Sequence, residues 1–525
     1  MRISSNTIYE SSVRAIQQQQ VDVLRTSEQI ATGRRILAPS DDPVGSARVL
    51  EVTQAATTNE QYATNRNAAT GTLALEESIL GSVTSLIQDV QVAAVNGGNP
   101  ALSSANRASL AADLRGRYQE LLGLANSRDT GGQYLFAGYQ GAAVAFTETS
   151  PGNVAYNGDQ GQRLIQISAS RQLAVSDAGL DIFQRIRNGN GTFVTEASAT
   201  NTGAGIIDGG SVLDSSKWAA AANKDFTILF SGNVSVTAGA TNAVTDTVTG
   251  GIVDQAAWDA SSKSLQVSVA AGAVAGTFDY TITDAVLGSY VVNYNPATQN
   301  PLTVSLDGTG GTFDAGIDLV LSGTAPQAGD TFTIAPSATP GWTYDILDNV
   351  SGNSLLTGAA AGGAPYSRTY TSGSTISFKN QGAEPAFDYG VQLAIQGVPA
   401  GGDTFTVEAS SSESLFTTLD NLITALQTSA GAPLTNSLNS ALTNLNNALT
   451  NVSTVRASVG SRLNEVEAAQ GAGEDLDLQY RQTLSDLQDL DYAKAISELT
   501  QQKMTLEAAQ QTFVKISGLS LFNYL

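Results

Sequence analysis

At both ends of this chain apolar side chains recur every seven residues, which restricts those ends to helices burying one narrow stripe. Tyr9, Ile16, Val23, Ile30 and Leu37 form the first series. Tyr492, Leu499, Leu506 and Phe513 form the second, with Ala495, Ala509 and Ile516 three residues after three of its members. The companions at the N-terminal end, Val13, Gln20 and Ser27, are mostly polar, so that stripe is too thin for a robust isolated dimer. Apolar burial along two such stripes barely offsets the backbone entropy of ordering about sixty residues. The ends are therefore expected to be disordered before assembly and to order fully when neighbouring copies cover them. An antiparallel pair inside one chain satisfies the same pattern and stays open.

The punctuation after the first series predicts a helix that stops and restarts. Gly33 suits a helix C-terminus, and Pro39 with Ser40, Asp41, Asp42 and Pro43 marks a joint. Asp42 is a good N-cap and Pro43 a good first helical residue.

Between the helical ends, residues 134–410 are rich in Gly, Thr, Val, Ser and Asp, with alternating apolar positions. Strands are expected at 225–231, 264–270, 277–283, 290–294 and 331–334. One stretch occurs twice. Phe313-Asp-Ala-Gly-Ile-Asp-Leu-Val-Leu-Ser-Gly323, followed by Gly329-Asp-Thr-Phe-Thr-Ile334, returns as Phe387-Asp-Tyr-Gly-Val-Gln-Leu-Ala-Ile-Gln-Gly397 and Gly402-Asp-Thr-Phe-Thr-Val407. The repeat predicts two related β-units. The expected fold is α+β and multidomain, its N- and C-terminal helices packed as a coiled coil or helical bundle around a β-rich insertion. The expected division is 1–42 with 478–525 as the inner coiled coil, 43–185 with 410–477 as a helical bundle with a small β part, and 186–409 as the β-rich outer part.

Composition narrows the chemistry. The 525 residues include no His and no Cys, which excludes a Ser-His-Asp triad, a Cys nucleophile, imidazole or thiolate metal sites, and disulfides. The formal charge is −22, and residues 175–410 hold 21 acidic against 7 basic side chains. Such a surface repels nucleic acid. No run of about 18 apolar residues is present, and the first twenty residues lack a signal-type apolar core, so no membrane insertion is expected. The remaining motifs are weak. Gly308-Thr-Gly-Gly-Thr-Phe313 does not complete a dinucleotide fingerprint, and Asn190-Gly-Thr192 and Asn233-Val-Ser235 are short chance-level sequons. Asp41 with Asp42, or Asp345 with Asp348, offers carboxylate pairs, but scattered turn acids are the simpler reading. No catalytic, cofactor or metal residue is expected, and an enzyme is the weakest reading.

Several separated motifs, in order, resemble the bacterial flagellin-like family. They are Met1-Arg-Ile-Ser-Ser-Asn-Thr7, Ala31-Thr-Gly-Arg-Arg-Ile36, Ser40-Asp-Asp-Pro-Val44, Val459-Gly-Ser-Arg-Leu-Asn464 and Leu490-Asp-Tyr-Ala-Lys-Ala-Ile496. Within the family, the stretch from Asn126 to Tyr139, the stretch from Gly158 to Asp177 and the ending Ser520-Leu-Phe-Asn-Tyr-Leu525 resemble members that join the hook to the filament more than flagellin itself. The resemblance covers roughly residues 1–185 and 410–525. It implies a structural protein of the flagellum, secreted unfolded by the type III export apparatus, whose terminal helices line a tube while β-rich parts face outward. The implied partners are further copies of the chain, neighbouring hook-associated protein and flagellin subunits, and an export chaperone at the C-terminal region. The competing readings are flagellin, the bulk filament subunit, and a surface adhesin or glycan-binding protein acting through the repeated β-units.

Overall fold

A computed structural model describes residues 5–521 except 243–245, 309–312, 361–363 and 365. The motif Gly308–Phe313 and the two chain-end motifs therefore fall partly outside the described residues. Among the described residues the helices run α1 (Ser5–Thr32), α2 (Pro43–Gly97), α3 (Ser104–Ala125), α4 (Gly179–Phe183), α5 (Ser215–Ala220), α6 (Gln255–Ala260), α7 (Leu415–Thr428), α8 (Gly431–Gln488) and α9 (Tyr492–Leu521). Helices at both ends thus enclose a long β-rich stretch. The division differs from the expected one. Contacts cluster into two units, 1–74 with 163–175 and 459–525, and 75–162 with 176–458. Breaks expected at 477 and 410 do not separate bodies, because α8 continues unbroken to Gln488 and the β-rich stretch shares a unit with α3, α7 and the first part of α8.

In the first unit the hairpin of strands Leu164–Ser168 and Arg171–Ala174 is pinned to α2 and α8 by backbone-seeking side chains. Asn65 donates to Gln166 O at 2.8 Å, and Arg66 donates to Ile167 O and to Gln470 Oε1, each at 3.0 Å. A Cβ on Gly473 would lie 2.2 Å from the Arg66 guanidinium, so only glycine lets that buried cation lie against α8. Arg171 forks onto Glu465.

In the second unit Tyr118, Phe136, Phe146, Phe183 and Phe416 form a buried aromatic cluster with ring centroids 5.4–6.3 Å apart. Phe136 is a core residue, whereas Tyr139 is exposed. The second half of α2 is apolar and long enough by length and composition to cross a bilayer, but Leu80, Val83, Ile87 and Val90 are buried inside this unit. Helix α8 then reads the β-rich stretch through a row of amides. Asn436 donates to Gly205 O at 2.9 Å and accepts from Ile207 N at 3.0 Å, behaving as an extra strand residue. Asn447 donates to Arg187 O and Gly189 O, and Asn451 to Asp181 O and Ile182 O.

The β-rich stretch is organised by one long strand, Asp225–Ala238. Its first half pairs antiparallel with Thr404–Ala409 and Trp342–Asp348, and its second half with Thr331–Pro336. From Thr331–Pro336 the sheet continues through Leu265–Ala271, Phe278–Asp284 and Gly288–Tyr294. From Thr247–Ile252 it continues through Asp314–Ser322 to Leu302–Asp307. All five strands expected from alternation are present; two are displaced by one residue, two are longer by two, and Asp225–Ala238 runs seven residues further than expected because a second set of neighbours supplies ladder bonds. Two separate apolar cores result, one around Val267, Ile282, Ile317 and Phe332, the other around Phe226, Ile346, Val391 and Phe405.

The repeated segments occupy equivalent places in the two cores. Gly316 at φ +67° and Gly390 at φ +66° each make a bulge whose carbonyl accepts two backbone N–H groups, from Val253 and Asp254 in one case and Leu213 and Asp214 in the other. In each, that aspartate caps a short helix carrying a buried tryptophan, Trp258 in α6 and Trp218 in α5.

Candidate assembly seam and joint

Helices α1 and α9 pair antiparallel within the chain. The Tyr9 and Phe513 rings meet at one end with centroids 5.1 Å apart, and at the other a Cβ on Gly33 would lie 2.9 Å from Tyr492 Oη. Of the expected seam residues, Ile16, Val23, Ile30, Leu499, Leu506 and Phe513 are half-buried. Tyr9, Leu37 and Tyr492 are exposed, lying at the ends of the pair or beyond them. The side chain of Ile516 lies outside the described residues. Of the expected N-terminal companions Val13 is half-buried, but Gln20 and Ser27 are exposed, while Gln19 is half-buried and Thr26 buried. The reason is geometric. With Ile16, Val23 and Ile30 on the seam, the position three residues on completes the facing layer, and the position four residues on rotates toward solvent. Gln19 Oε1 and Gln502 Oε1 are shielded from water and accept no hydrogen bond among the described residues. Outside the seam both helices keep apolar side chains in solvent, with Leu24 63%, Met504 63% and Val514 67% exposed.

The joint is tied from both sides. Gly33, at φ +73°, closes α1 by donating to Gln29 O at 2.8 Å. Leu490 N then donates to Gly33 O at 3.0 Å and Arg35 N to Gln488 O at 2.7 Å, so the break after α1 and the break before α9 are laced into one short antiparallel bridge. Asp42 accepts from Gly45 N at 2.8 Å and caps α2, with Pro43 as the first helical residue. Asp41 folds back to accept from Ala38 N and Leu37 N and meets Arg25 at 3.1 Å. The Ala38 N–H, then the Leu37 N–H and Arg25, hold its carboxyl below the usual range. Ser40 and Pro43 are exposed. These acids are caps and loop ties, and Asp345 and Asp348 serve likewise. Asp345 accepts from Ile346 N and Ser354 Oγ, and Asp348 from Asn223, Val350 N and Ser351 N.

Sequence reading missed the second half of the joint, Asp489 to Asp491. Its signal was present: Asp491 stands immediately before the heptad start at Tyr492, and it caps α9 by accepting from Lys494 N at 3.1 Å.

Comparison with known families matches both of these ends. Residues 3–141 match the bacterial flagellin N-terminal helical region, and residues 442–525 match the bacterial flagellin C-terminal helical region. Both ends of the chain are thus similar to flagellin helical regions. The chain is 39% identical over 186 residues to flagellar hook-associated protein 3 of Salmonella typhimurium, covering 35% of this chain and 58% of that protein. It is 37% identical over 202 residues to the Escherichia coli protein of the same name, covering 38% and 62% respectively. The match thus spans about three fifths of the length of these relatives. A crystal structure of flagellar hook-associated protein 3 from Legionella pneumophila shares the fold, with a TM-score of 0.52 at 22% identity over 84% of this chain and 98% of that one.

Proposed function

We propose that this chain is a structural, non-catalytic subunit of the bacterial flagellum that joins the hook to the filament by helical self-assembly of its paired terminal helices. The observation that carries the reading is the incompletely covered α1–α9 pair: its seam residues are half-buried and Leu24, Met504 and Val514 stand in solvent. Neighbouring copies bury those faces in a head-to-tail contact that propagates. Ser40, Asp41, Asp42 and Pro43, with the bridge opposite, act as the joint. The chain leaves the cell through the flagellar export channel with its ends unpaired, a chaperone covering the C-terminal region, and then meets hook-associated and flagellin subunits. The likeness to two proteins named flagellar hook-associated protein 3 favours the junction. The flagellin regions at both ends also fit a bulk filament subunit. Immuno-electron microscopy of isolated flagella separates the two, since a junction subunit labels one short zone and flagellin the whole filament. Replacing Leu506 and Phe513 by Asp is expected to abolish junction assembly and motility; unchanged swimming would sink the seam mechanism.

A further inference from the structure

We propose that the cleft between the strand Phe193–Ala197 and helices α7 and α8 binds an extended, basic peptide segment, which adds as a further strand and sets a Lys or Arg side chain against Glu196 and Glu413. The cleft holds about 670 Å³, within the range of ligand sites. Val194, Glu196 and Ile207 lie on its sheet side, and Thr418, Asn421 and Asn444 on its helix side. Among the described residues no Lys or Arg lines it, whereas Glu196, Asp208 and Glu413 all do.

Two strand edges reach this cleft, and only one is occupied. Ile206–Ile207 pairs with Asp388–Gln396 on one side, and on the other Asn436 donates to Gly205 O and accepts from Ile207 N. Phe193–Ala197 pairs antiparallel with Thr404–Ala409. Ser198 N donates to Thr404 O and Ser410 N to Thr192 O, so the even-numbered residues turn their backbone groups toward that neighbour. The N–H and C=O of Thr195 and Ala197 therefore point the other way, and among the described residues no strand pairs with them. Such an edge is a template for one more strand. Phe193 and Ala197 pack on the apolar core around Phe226 and Phe405, so Glu196 projects from the opposite face. Glu413 is fixed by hydrogen bonds from Thr418 Oγ1 at 2.7 Å and Asn444 Nδ2 at 2.9 Å. Burial, then Glu413, raises the Glu196 carboxyl, and burial raises that of Glu413, so two acids share the cleft without a counter-ion. In an added strand the residue opposite Glu196 shares its face, and a basic side chain there supplies the missing charge. A free cation answers the acids but leaves the backbone groups of Thr195 and Ala197 unmet; a peptide answers both.

The test is calorimetric titration of the full chain with a capped Thr-Val-Lys-Val-Thr peptide, its Thr-Val-Glu-Val-Thr counterpart and capped lysine alone. The lysine peptide is expected to bind, and the other two to bind at least about tenfold more weakly. Glu196→Gln removes the charge and keeps the shape. Ala197→Pro removes an N–H that the ladder to Thr404–Ala409 does not use. Each should weaken the lysine peptide by at least about tenfold. No binding of the lysine peptide up to about 1 mM, equal binding of the glutamate peptide or of capped lysine, or unaltered binding by both variants would overturn the proposal. Should the variants not fold, hydrogen exchange of the wild type decides. Slower exchange at the Thr195 and Ala197 amides on adding the lysine peptide supports strand addition; unchanged exchange at both refutes it.

Discussion

The two glutamines inside the α1–α9 seam give the sharpest test of how that seam works. Gln19 and Gln502 each bury a side-chain oxygen that accepts no hydrogen bond among the described residues. An unmet buried acceptor costs about 1–3 kcal/mol; at half-burial about 1 kcal/mol is the reasonable share. Leucine at either position removes that cost and adds an apolar side chain at half-burial, about another 1 kcal/mol. The double variant Gln19→Leu with Gln502→Leu should therefore favour the paired state by about 4 kcal/mol, close to a thousandfold in the opening equilibrium. Amide hydrogen exchange along α1 and α9 in the monomer reads that equilibrium directly. Protection rising by two to three decades, with little change across α3 and α7, is the expected result. If protection moved by less than tenfold, or fell, the glutamines would not be seam residues, and the pairing register built on Tyr9–Phe513 and Gly33–Tyr492 would be wrong. A second readout bears on function. Polar layers in heptad seams set register and partner number at a cost in stability. The stabilised variant should accordingly assemble less faithfully, giving irregular or shortened junctions despite tighter monomers.

Other sites make equally definite claims. Gly33→Ala forces a Cβ into a left-handed position and against Tyr492 Oη; a loss of about 1–2 kcal/mol is expected, seen as faster exchange at the Arg35 and Leu490 amides. Asn436→Ala strands Gly205 O and Ile207 N and should cost about 2–5 kcal/mol in urea unfolding, whereas the exposed Asn439→Ala should stay within about 0.5 kcal/mol. Glu384 is half-buried, which works against its charge, yet hydrogen bonds from Arg368 and Gln381 N hold its carboxyl below 4.5. Its stabilisation is present above 4.5 and lost as the pH falls through the lower folded value, so Glu384→Gln should flatten the acid limb of the unfolding profile while lowering stability at neutral pH.

What the sequence disclosed and what it hid divide along a physical line. Heptads and alternation report which side of an element is apolar, so the paired ends, the β-rich middle and all five proposed strands were legible. The cap at Asp42 and the stop at Gly33 were legible because capping is local chemistry. The companion layer was misplaced because a seven-residue series alone does not say whether its partner position lies three or four residues on; Thr26 and Gln19 are polar and left no apolar trace. The break at Asp489 to Asp491 was marked only by the N-cap Asp491, because helix-compatible residues run on both sides of it. Domain limits were hidden for a different reason. Helices α2 and α8 run through the places where composition changes, and composition does not record which neighbours a helix acquires along its length.

The repeat shows most clearly how order in sequence and order in space come apart. Read along the chain, the second copy of the Phe-Asp-x-Gly segment follows the first, which suggests two units in tandem. The structure reverses that order for the other half of each unit. The Asp214–Trp218 helix start precedes its counterpart Asp254–Trp258, yet the bulge serving Asp214 is Gly390 and the bulge serving Asp254 is the earlier Gly316. One unit is therefore nested inside the other. The outer one opens before Asp225–Ala238 and resumes at Trp342–Asp348, and these two strands are neighbours, with Trp342 opposite Gly232. Chain leaving the outer unit thus returns beside its point of departure, the geometry in which an inserted unit costs its host least. The outer unit meets Asp403 with backbone donors from Thr202 and Gly203, which lie in its own N-terminal approach.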